Sequence, residues 1–319
     1  MRANFGGSAM NSTPFDFYPS KAERDKWISD ILNEAKANAS HAEITADSGV
    51  RNNFGTFHMG GNRIVKFMPE GRRPFYGIWQ PALCGPAPLV VHLPGYGAEL
   101  SVHPDVNAEG YNVLCLSPLG YWTPQGFDDS LRGENGNWPV LPDTMLSDGE
   151  KGYRQWLADA AMAVMWAWTQ PQVIPGRVSF YGTSQGGGTS LLLGAIFAGA
   201  GTRCVAADEP YLTNFPLGIT KPNSGYSMLA RAFEPGFEVP AEKLWHGLGY
   251  CDTMNYADRM DFPVLLTVGT NDGVCPPDTI EELYKVLPST KAIYSLAGRG
   301  HGYNYEFIRL ACAWFRLYA

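Results

Sequence analysis

The chain has 319 residues, 45% of them hydrophobic and 17% charged, which is the composition of a globular protein with a substantial core. A formal net charge of -7 and the lack of a long basic run argue against nucleic acid or an anionic membrane as a partner, because neither attracts an acidic surface. The six cysteines lack metal-ligand spacing and are predicted to be buried free thiols. No segment has the pattern of a signal peptide or a membrane span, so we expect a cytoplasmic protein.

The N-terminal part of the chain predicts one helix followed by antiparallel strands. Residues 21–38 place apolar side chains on one helical face. Three β-rich runs follow at residues 53–58, 63–67 and 75–80, which favours an antiparallel meander at the start of the sheet. We expect residues 1–52 to form an N-terminal extension whose helix packs on the core, and residues 53–319 to form a single domain.

From residue 88 onward, apolar strands alternate with helical segments, which is typical of a parallel sheet covered on both faces. The predicted strands are residues 89–93, 112–116, 178–181, 204–207, 264–268 and 292–296. The predicted helices are residues 153–169, a helix after Ser184, residues 279–286 and residues 305–317. Insertions are expected at about 121–150 and 212–248. The predicted fold class is therefore α/β, with a mostly parallel central sheet and an antiparallel N-terminal edge.

The segment Gly182-Thr183-Ser184-Gln185-Gly186 lies between a predicted strand and a predicted helix and has the G-x-S-x-G pattern of a nucleophile elbow. A turn from strand to helix within a few residues strains the serine and leaves no room for side chains two residues away on either side. It also presents the hydroxyl at a helix N-terminus, where backbone N–H groups stabilise an oxyanion. Ser184 is the predicted nucleophile, and the alternative is a turn without chemistry.

A serine nucleophile needs a base, and the base needs an orienting acid. His301, in the glycine-rich loop after the last predicted strand, is the candidate base. Asp272, which follows strand 264–268, is the candidate acid. Asp208 and Glu209 end another strand and are weaker candidates, whereas Asp278 is interpreted as a helix N-cap and Asp261 precedes its strand. The predicted oxyanion donors are the backbone N–H groups of Gln185 and Tyr96, the latter in the loop after strand 89–93.

Several segments together resemble the acetyl xylan esterase and cephalosporin-C deacetylase family, carbohydrate esterase family seven. Residues 182–187 are similar to its G-x-S-Q-G-G motif, residues 94–97 to its H-G-Y oxyanion loop, residues 208–212 to its D-x-P-F-L segment, residues 252–259 to the stretch that precedes its acid-bearing strand, and residues 269–277 to its G-x-x-D-x-x-x-P-P signature. The resemblance implies an α/β-hydrolase fold, a Ser184–His301–Asp272 triad, activity on acetyl esters and a possible hexamer of identical chains.

Three positions depart from the family pattern. Pro94 stands where the family has histidine, residues 117–122 stand in place of its R-G-Q motif, and Gly302 follows His301 where the family has glutamate. We expect Ser184 to attack a small acyl carbonyl and form an acyl-enzyme, with no metal or organic cofactor. Aromatic residues in the predicted loops at the catalytic edge are candidates for packing on a sugar or another small alcohol, although each could equally pack in the core; they are Tyr121, Trp122, Trp138, Tyr211 and Tyr303. The rival hypotheses are a peptidase or thioesterase on the same fold, and a hydrolase-fold module without catalysis.

Overall fold

A nine-stranded sheet lies at the centre of the protein in this computed structural model, which describes residues 12–45, 50–52, 55–57, 61–131, 151–234, 236 and 239–319. The strands in chain order are β1 Ala42–Thr45, β2 Val50–Asn52, β3 Gly55–Phe57, β4 Arg63–Phe67, β5 Phe75–Gln80, β6 Ala87–Leu93, β7 Asn112–Ser117, β8 Trp122–Thr123, β9 Gly126–Phe127, β10 Val173–Thr183, β11 Thr202–Asp208, β12 Val264–Gly269 and β13 Lys291–Leu296.

The strand order in the main sheet is β1-β4-β5-β7-β6-β10-β11-β12-β13. The pairs from β1 to β7 are antiparallel, and the pairs from β7 through β6 to β13 are parallel. The predicted α/β class, with a mostly parallel sheet and an antiparallel N-terminal edge, is confirmed. Because β10 to β13 run in the same direction, the loops that follow them meet at one edge of the sheet.

The α-helices are α1 Lys21–Asn38, α2 Pro104–Ala108, α3 Lys151–Ala167, α4 Gln185–Ile196, α5 Phe215–Gly218, α6 Ser227–Ala230, α7 Ala241–Gly249, α8 Pro277–Val286 and α9 Tyr305–Tyr318. Helix α1 begins with a capping box in which Ser20 and Glu23 bond each other's backbone N–H groups. The Asn304 side chain caps α9 by accepting the N–H of Phe307 at 2.8 Å. Within the described residues, no helix combines the length and the apolar character needed to cross a membrane.

Side chains of β6 and of β10 to β12 alternate between two cores because successive residues of a strand point to opposite faces. Leu89, Phe180 and Leu266 belong to the larger core, to which α1, α3, α4 and α8 contribute. Their neighbours Val90, Tyr181 and Leu265 belong to a second core beneath α2 and α9. The central strands are therefore buried on both faces, as their continuous apolar sequences predict.

The N-terminal edge of the sheet differs from the prediction in one strand. The runs at 63–67 and 75–80 pair as expected, but β2 and β3 form a separate hairpin, and residues 53, 54 and 58 of the predicted strand 53–58 lie outside the described residues. Ala42–Thr45 takes the expected place beside β4. Its four residues alternate poorly in polarity and are half-buried or exposed, so the sequence carries little strand signal.

Half-buried ion pairs connect the first helix to α3 and to the turn between β4 and β5. Arg72, in the turn between β4 and β5, binds Asp159 of α3 at 2.5 Å and Glu34 of α1 at 2.9 Å. Arg154 of α3 binds the same Glu34 at 2.6 Å. The other oxygen of Asp159 accepts the N–H of Leu119 at 3.0 Å. The segment 117–122 is therefore held by Asp159, which also binds the guanidinium of Arg72.

A buried carboxylate connects the N-terminal segment to the region 212–248. Asp252 accepts a hydrogen bond from the hydroxyl of Tyr18 at 2.7 Å. It also accepts hydrogen bonds at 2.8 to 2.9 Å from the backbone N–H groups of Asn214, Phe215 and Met254. The region 212–248 contains α5, α6 and the start of α7. Residues 132–150 of the other predicted insertion, including Trp138, lie outside the described residues.

The N-cap prediction for Asp278 is wrong, and the prediction of buried free cysteines is wrong at one of the six positions. Asp278 is the second residue of α8, whose N-cap is Pro276, and its carboxylate pairs with Lys221. Pro277 at the first helical position has no backbone N–H to cap, and the N–H of Thr279 is accepted by the carbonyl oxygen of Pro276 at 3.0 Å. Of the six free cysteines, Cys84 is exposed and the other five are buried. Cys84 lies in the turn after β5, outside the apolar strands that bury the others.

Candidate active site

Ser184 lies between β10 and α4 with strained backbone angles, φ 62° and ψ -122°. Its N–H donates to the carbonyl of Asp208 at 2.8 Å, and its carbonyl accepts the N–H of Tyr211 at 2.9 Å. These bonds to the segment after β11 hold the serine in a conformation that non-glycine residues rarely adopt. The side chain therefore projects from the tight turn at the N-terminus of α4, as the glycine pattern predicts.

The glycines around Ser184 are required by close backbone contacts. A Cβ atom on Gly182 would lie 2.4 Å from the carbonyl oxygen of Leu93, and one on Gly186 would lie 2.1 Å from the same oxygen. A Cβ atom on Gly188 would lie 2.0 Å from the carbonyl oxygen of Tyr211. The elbow therefore packs directly against the loop after β6 on one side and the loop after β11 on the other.

The structure brings His301 and Asp272 together at the carboxyl edge of the sheet. Nδ1 of His301, after β13, lies 2.8 Å from Oδ2 of Asp272, after β12. The other oxygen of Asp272 accepts the N–H groups of Val274 and Cys275, both at 2.8 Å, which fixes the carboxylate. Burial lowers the pKa of His301, but the hydrogen bond to Asp272 and its charge, supported by two further carboxyls, raise the pKa overall.

Those two carboxyls are the weaker acid candidates of the sequence, Asp208 and Glu209. Oε2 of Glu209 lies 3.4 Å from Nδ1 of His301 and accepts the N–H of Gly302 at 3.0 Å. Asp208 instead accepts hydrogen bonds from the hydroxyls of Thr183 and Thr267. Burial raises the pKa of Asp208 to about 6 and that of Glu209 to about 7. Asp272 makes the shorter contact to the imidazole and is its hydrogen-bond partner, and Glu209 lies within ion-pair distance of the same nitrogen.

The two predicted oxyanion donors lie on either side of the contact between the elbow and the loop after β6. Gln185 is the first residue of α4, so its backbone N–H belongs to the positive end of the helix dipole. Tyr96 is in the loop after β6 and lines the same cavity as Ser184. The side-chain amide of Gln185 is buried, and neither of its polar atoms has a hydrogen-bond partner in the described part of the chain.

Among the described residues, Ser184 lines two cavities. The first, of about 300 Å³, is called the apolar chamber and is lined by Tyr96, Ser184, Gln185, Tyr211, Gly225, Met228, Val274 and His301. The second, of about 310 Å³, is called the polar chamber, and its lining includes His92, Glu99, Ser101, His103, Ser184 and Tyr303. The hydroxyl of Tyr211 donates to the carbonyl of Gly225 at 3.2 Å, which fixes the tyrosine ring in the wall of the apolar chamber.

The structure separates the predicted substrate-binding aromatics into two groups. Tyr211 lines the apolar chamber, and Tyr303, which is 71% exposed, lines the polar chamber. Tyr121 and Trp122 are buried and line neither chamber, so their role in substrate binding stays a prediction that this geometry does not favour. Leu119 and Gly120 both have positive φ, and this turn directs the two aromatic rings into the cores against Trp156 and Phe127.

Three residues beside the nucleophile were not predicted from the sequence. Met228 of α6 and Val274 complete the wall of the apolar chamber. The thiol of Cys275 lies within 4.8 Å of the side-chain atoms of Asp272 and His301. Burial, reinforced by the charge of Asp272, raises the pKa of this thiol well above its usual range, so Cys275 is a neutral thiol. Its position three residues after Asp272 was the available signal.

Two groups of potential metal ligands occur among the described residues, Asp272 with Cys275 and His301, and His92 with His103 and Cys115. In the first group the carboxylate and the imidazole bond each other. In the second, the imidazole centroids are 3.9 Å apart, whereas two imidazoles on one tetrahedral ion have centroids about 5 Å apart. Burial lowers the pKa of His92 well below its usual range and that of His103 to about 3. The geometry is that of two packed neutral rings.

Comparisons with known proteins connect this geometry to one family of enzymes. Residues 75–317 match the family model described as "Acetyl xylan esterase (AXE1)". Acetyl esterase Axe7A from Xylanibacter ruminicola is 26% identical over 244 residues, which are 72% of this chain and 52% of that protein. The chain thus spans about half the length of this curated relative.

Two solved structures have a similar fold over more than nine-tenths of their length. Acetyl Xylan Esterase 1 from Thermoanaerobacterium sp. JW/SL YS485 matches with a TM-score of 0.74 and 24% identity, over 92% of this chain and 93% of that chain. Acetyl xylan esterase from Paenibacillus sp. R4 matches with a TM-score of 0.73 and 20% identity, over 96% of this chain and 98% of that chain. At these identities the comparison concerns the fold.

Proposed function

The chain belongs to the acetyl xylan esterase family, carboxylic ester hydrolases with an α/β-hydrolase fold, and from this we propose that it is a serine esterase that hydrolyses short-chain acyl esters of carbohydrates or similar small alcohols. The observation that carries the proposal is the contact of 2.8 Å between Nδ1 of His301 and Asp272, with Ser184 on its strained turn in the wall of the same chamber. This is the arrangement that activates a serine hydroxyl.

In the proposed reaction, the Oγ electron pair of Ser184 forms a bond to the acyl carbon while its proton passes to Nε2 of His301. Asp272 accepts Nδ1–H and thereby fixes the tautomer and stabilises the imidazolium. The carbonyl oxygen becomes an oxyanion that the backbone N–H groups of Gln185 and Tyr96 stabilise. His301 then protonates the departing alcohol, and water hydrolyses the acyl-enzyme by the reverse sequence of proton transfers.

We expect the alcohol to bind in the apolar chamber, which His301 lines, because the departing oxygen must reach the imidazole that protonates it. That chamber also holds the rings of Tyr96 and Tyr211, flat surfaces on which a sugar ring can pack. Its volume of about 300 Å³ is at the lower end of the range for ligand pockets and suits a group the size of one sugar ring. We therefore expect acetylated mono- or oligosaccharides among the substrates.

The test is hydrolysis of p-nitrophenyl acetate by the wild type and by Ser184→Ala. The loss of Ser184 should lower kcat on the order of 10⁴-fold or more, while the circular dichroism spectrum stays unchanged. A fluorophosphonate probe should label the wild type and leave the variant unlabelled. Wild-type activity in the variant would refute the assignment. A panel of acetylated sugars, cephalosporin C, longer acyl esters and peptide amides then separates an acetyl esterase from a peptidase or thioesterase.

A further inference from the structure

Glu209 has an unusual backbone and a fully buried side chain. It directly follows β11, and its φ of 42° lies in the left-handed region that L residues with long side chains rarely adopt. The conformation is held by its N–H, which is 3.2 Å from both the carbonyl oxygen and the hydroxyl of Thr267 on the adjacent strand. Residues held in such conformations occur disproportionately where they aim a functional side chain.

The side chain of Glu209 is aimed at the histidine loop. Oε2 accepts the N–H of Gly302 at 3.0 Å and lies 3.4 Å from Nδ1 of His301. Asp272 reaches the same nitrogen at 2.8 Å. Glu209, Asp272 and His301 follow β11, β12 and β13, three adjacent parallel strands, so the sheet itself brings the two carboxyls to one imidazole nitrogen.

The carboxyl of Glu209 is poorly compensated. Its Oε1 is buried and has no hydrogen-bond partner among the described residues. A Cβ atom on Gly269 would lie 2.6 Å from this oxygen, so the glycine at the end of β12 makes room for the carboxyl. Among the described residues, the basic side chain within ion-pair distance of Glu209 is that of His301, which is charged only when it is protonated. Burial without a permanent cation raises the pKa of a carboxyl, so it takes up a proton at a higher pH than an exposed carboxyl does.

We propose that Glu209 is a positioning residue that shares Nδ1 of His301 with Asp272, and whose ionisation sets the lower pH limit at which His301 acts as a base. The proposal rests on the serine esterase mechanism proposed above. In either protonation state Glu209 accepts the N–H of Gly302 and holds the loop. When it is ionised, it adds a second negative charge that stabilises the imidazolium formed as Ser184 transfers its proton. Glu209 itself takes no proton from the serine.

The surrounding groups place the ionisation of Glu209 in the working pH range. Burial raises the pKa of Glu209 to about 7; the N–H of Gly302 opposes this shift, and the charges of Asp208 and Asp272 reinforce it. The other titratable groups that face it are His301, which lowers its pKa, and the Cys275 thiol, which is neutral. Because these groups interact closely, their protons are lost in steps that belong to the cluster.

The test compares Glu209→Gln, which keeps the hydrogen-bond acceptor and removes the charge, with the wild type. The control is Glu242→Gln, the same change at an exposed position of α7. The first readout is the pH profile of kcat/KM for p-nitrophenyl acetate. We expect Glu209→Gln to lower the midpoint of its acid limb by about half to one pH unit, since an ionised neighbour raises the pKa of a histidine. Glu242→Gln should leave the midpoint unchanged.

The second readout is the nuclear magnetic resonance titration of His301 in nitrogen-15 histidine-labelled protein. In the wild type the His301 signals should titrate in two steps, and in Glu209→Gln in one step at lower pH. An unchanged midpoint and a single-step wild-type titration would overturn the role of Glu209, whether or not the variant folds well. If the wild type neither hydrolyses esters nor reacts with a fluorophosphonate, the proposed esterase function fails, but the titration still decides whether Glu209 acts on His301.

Discussion

The glycine at position 186 allows the two proposed oxyanion donors to lie close together, and its replacement by alanine tests that arrangement. In Gly186→Ala the new Cβ would lie 2.1 Å from the carbonyl oxygen of Leu93, and real Cβ contacts essentially never fall below 3.0 Å. Helix α4, which carries Gln185, must therefore move away from the loop that carries Tyr96. The required movement along this contact is about 0.9 Å, the difference between 3.0 Å and 2.1 Å.

A separation of that size displaces one N–H donor relative to the other. Misplacement by about 1 Å costs roughly 10²-fold in rate, and the loss of one oxyanion donor costs about 10² to 10³-fold in kcat. We expect kcat for p-nitrophenyl acetate to fall about 10²-fold, equivalent to roughly 2.7 kcal/mol of transition-state stabilisation. KM should change much less, because the oxyanion forms after the substrate binds.

The matched control is Gly97→Ala, in the loop that carries Tyr96. A Cβ atom at this position has no neighbour within 4 Å, and Gly97 does not have a positive φ, so kcat should stay near the wild-type value. The assay measures kcat and KM well below the melting temperature of each variant, since overpacking also costs about 1–3 kcal/mol of stability. A folded Gly186→Ala that keeps kcat within about threefold of the wild type would refute the proposed position of the donors.

Three further predictions concern the base, the aromatic residues and the N-terminal segment. Burial lowers the pKa of His301, but Asp272 raises it more, so the neutral base predominates only above this raised pKa. We therefore expect kcat/KM to fall as the pH drops through a midpoint above 6.5, the ordinary pKa of histidine. A midpoint below 6.5 would contradict this. Tyr121→Ala should lower the free energy of unfolding by about 3–5 kcal/mol without raising KM, because the ring is buried. Tyr303→Ala, at an exposed ring, should alter KM and leave urea unfolding unchanged. The opposite pattern would support Tyr121 as a substrate-binding residue. Tyr18→Phe should cost about 1.5–3 kcal/mol in the same unfolding assay, because it removes a buried hydrogen bond to Asp252, and an unchanged unfolding curve would show that the bond contributes nothing.

The parallel part of the sheet was predictable because each of its strands is a short apolar run followed by a turn. Strand β12 is buried at all six positions, so its sequence is nearly continuously apolar and differs clearly from that of a loop. Helix α1 was predicted with its observed bounds because its apolar face and its capping residues agree. Strand β1 was missed because tertiary pairing at the sheet edge, and little in its own composition, makes it a strand.

The candidate site was predictable at positions where a residue follows directly from a strand end. The predicted triad residues come after parallel strands, whose carboxyl ends lie at one edge of the sheet. Their common location could therefore be predicted without knowing the path of the rest of the chain; they are Ser184, Asp272 and His301. The direction of Tyr121 and Trp122 depended on positive φ at a non-glycine residue, Leu119, for which the sequence gives no signal. The role of Glu209 depended on the same kind of conformation, so the sequence offered it as an acid candidate and could not orient it.

Asp252 has a practical consequence for how the protein is handled. Its carboxylate binds Tyr18 near the start of the described chain and the N–H groups of Asn214 and Phe215, shortly after Tyr211 in the wall of the apolar chamber. An affinity tag, a cleavage scar or a trimmed terminus that displaces Tyr18 therefore alters the support of the loop that lines the apolar chamber. Kinetic comparisons between preparations should keep the N-terminal sequence identical, and a change in KM after trimming there should be attributed to Tyr18 before any other residue is considered.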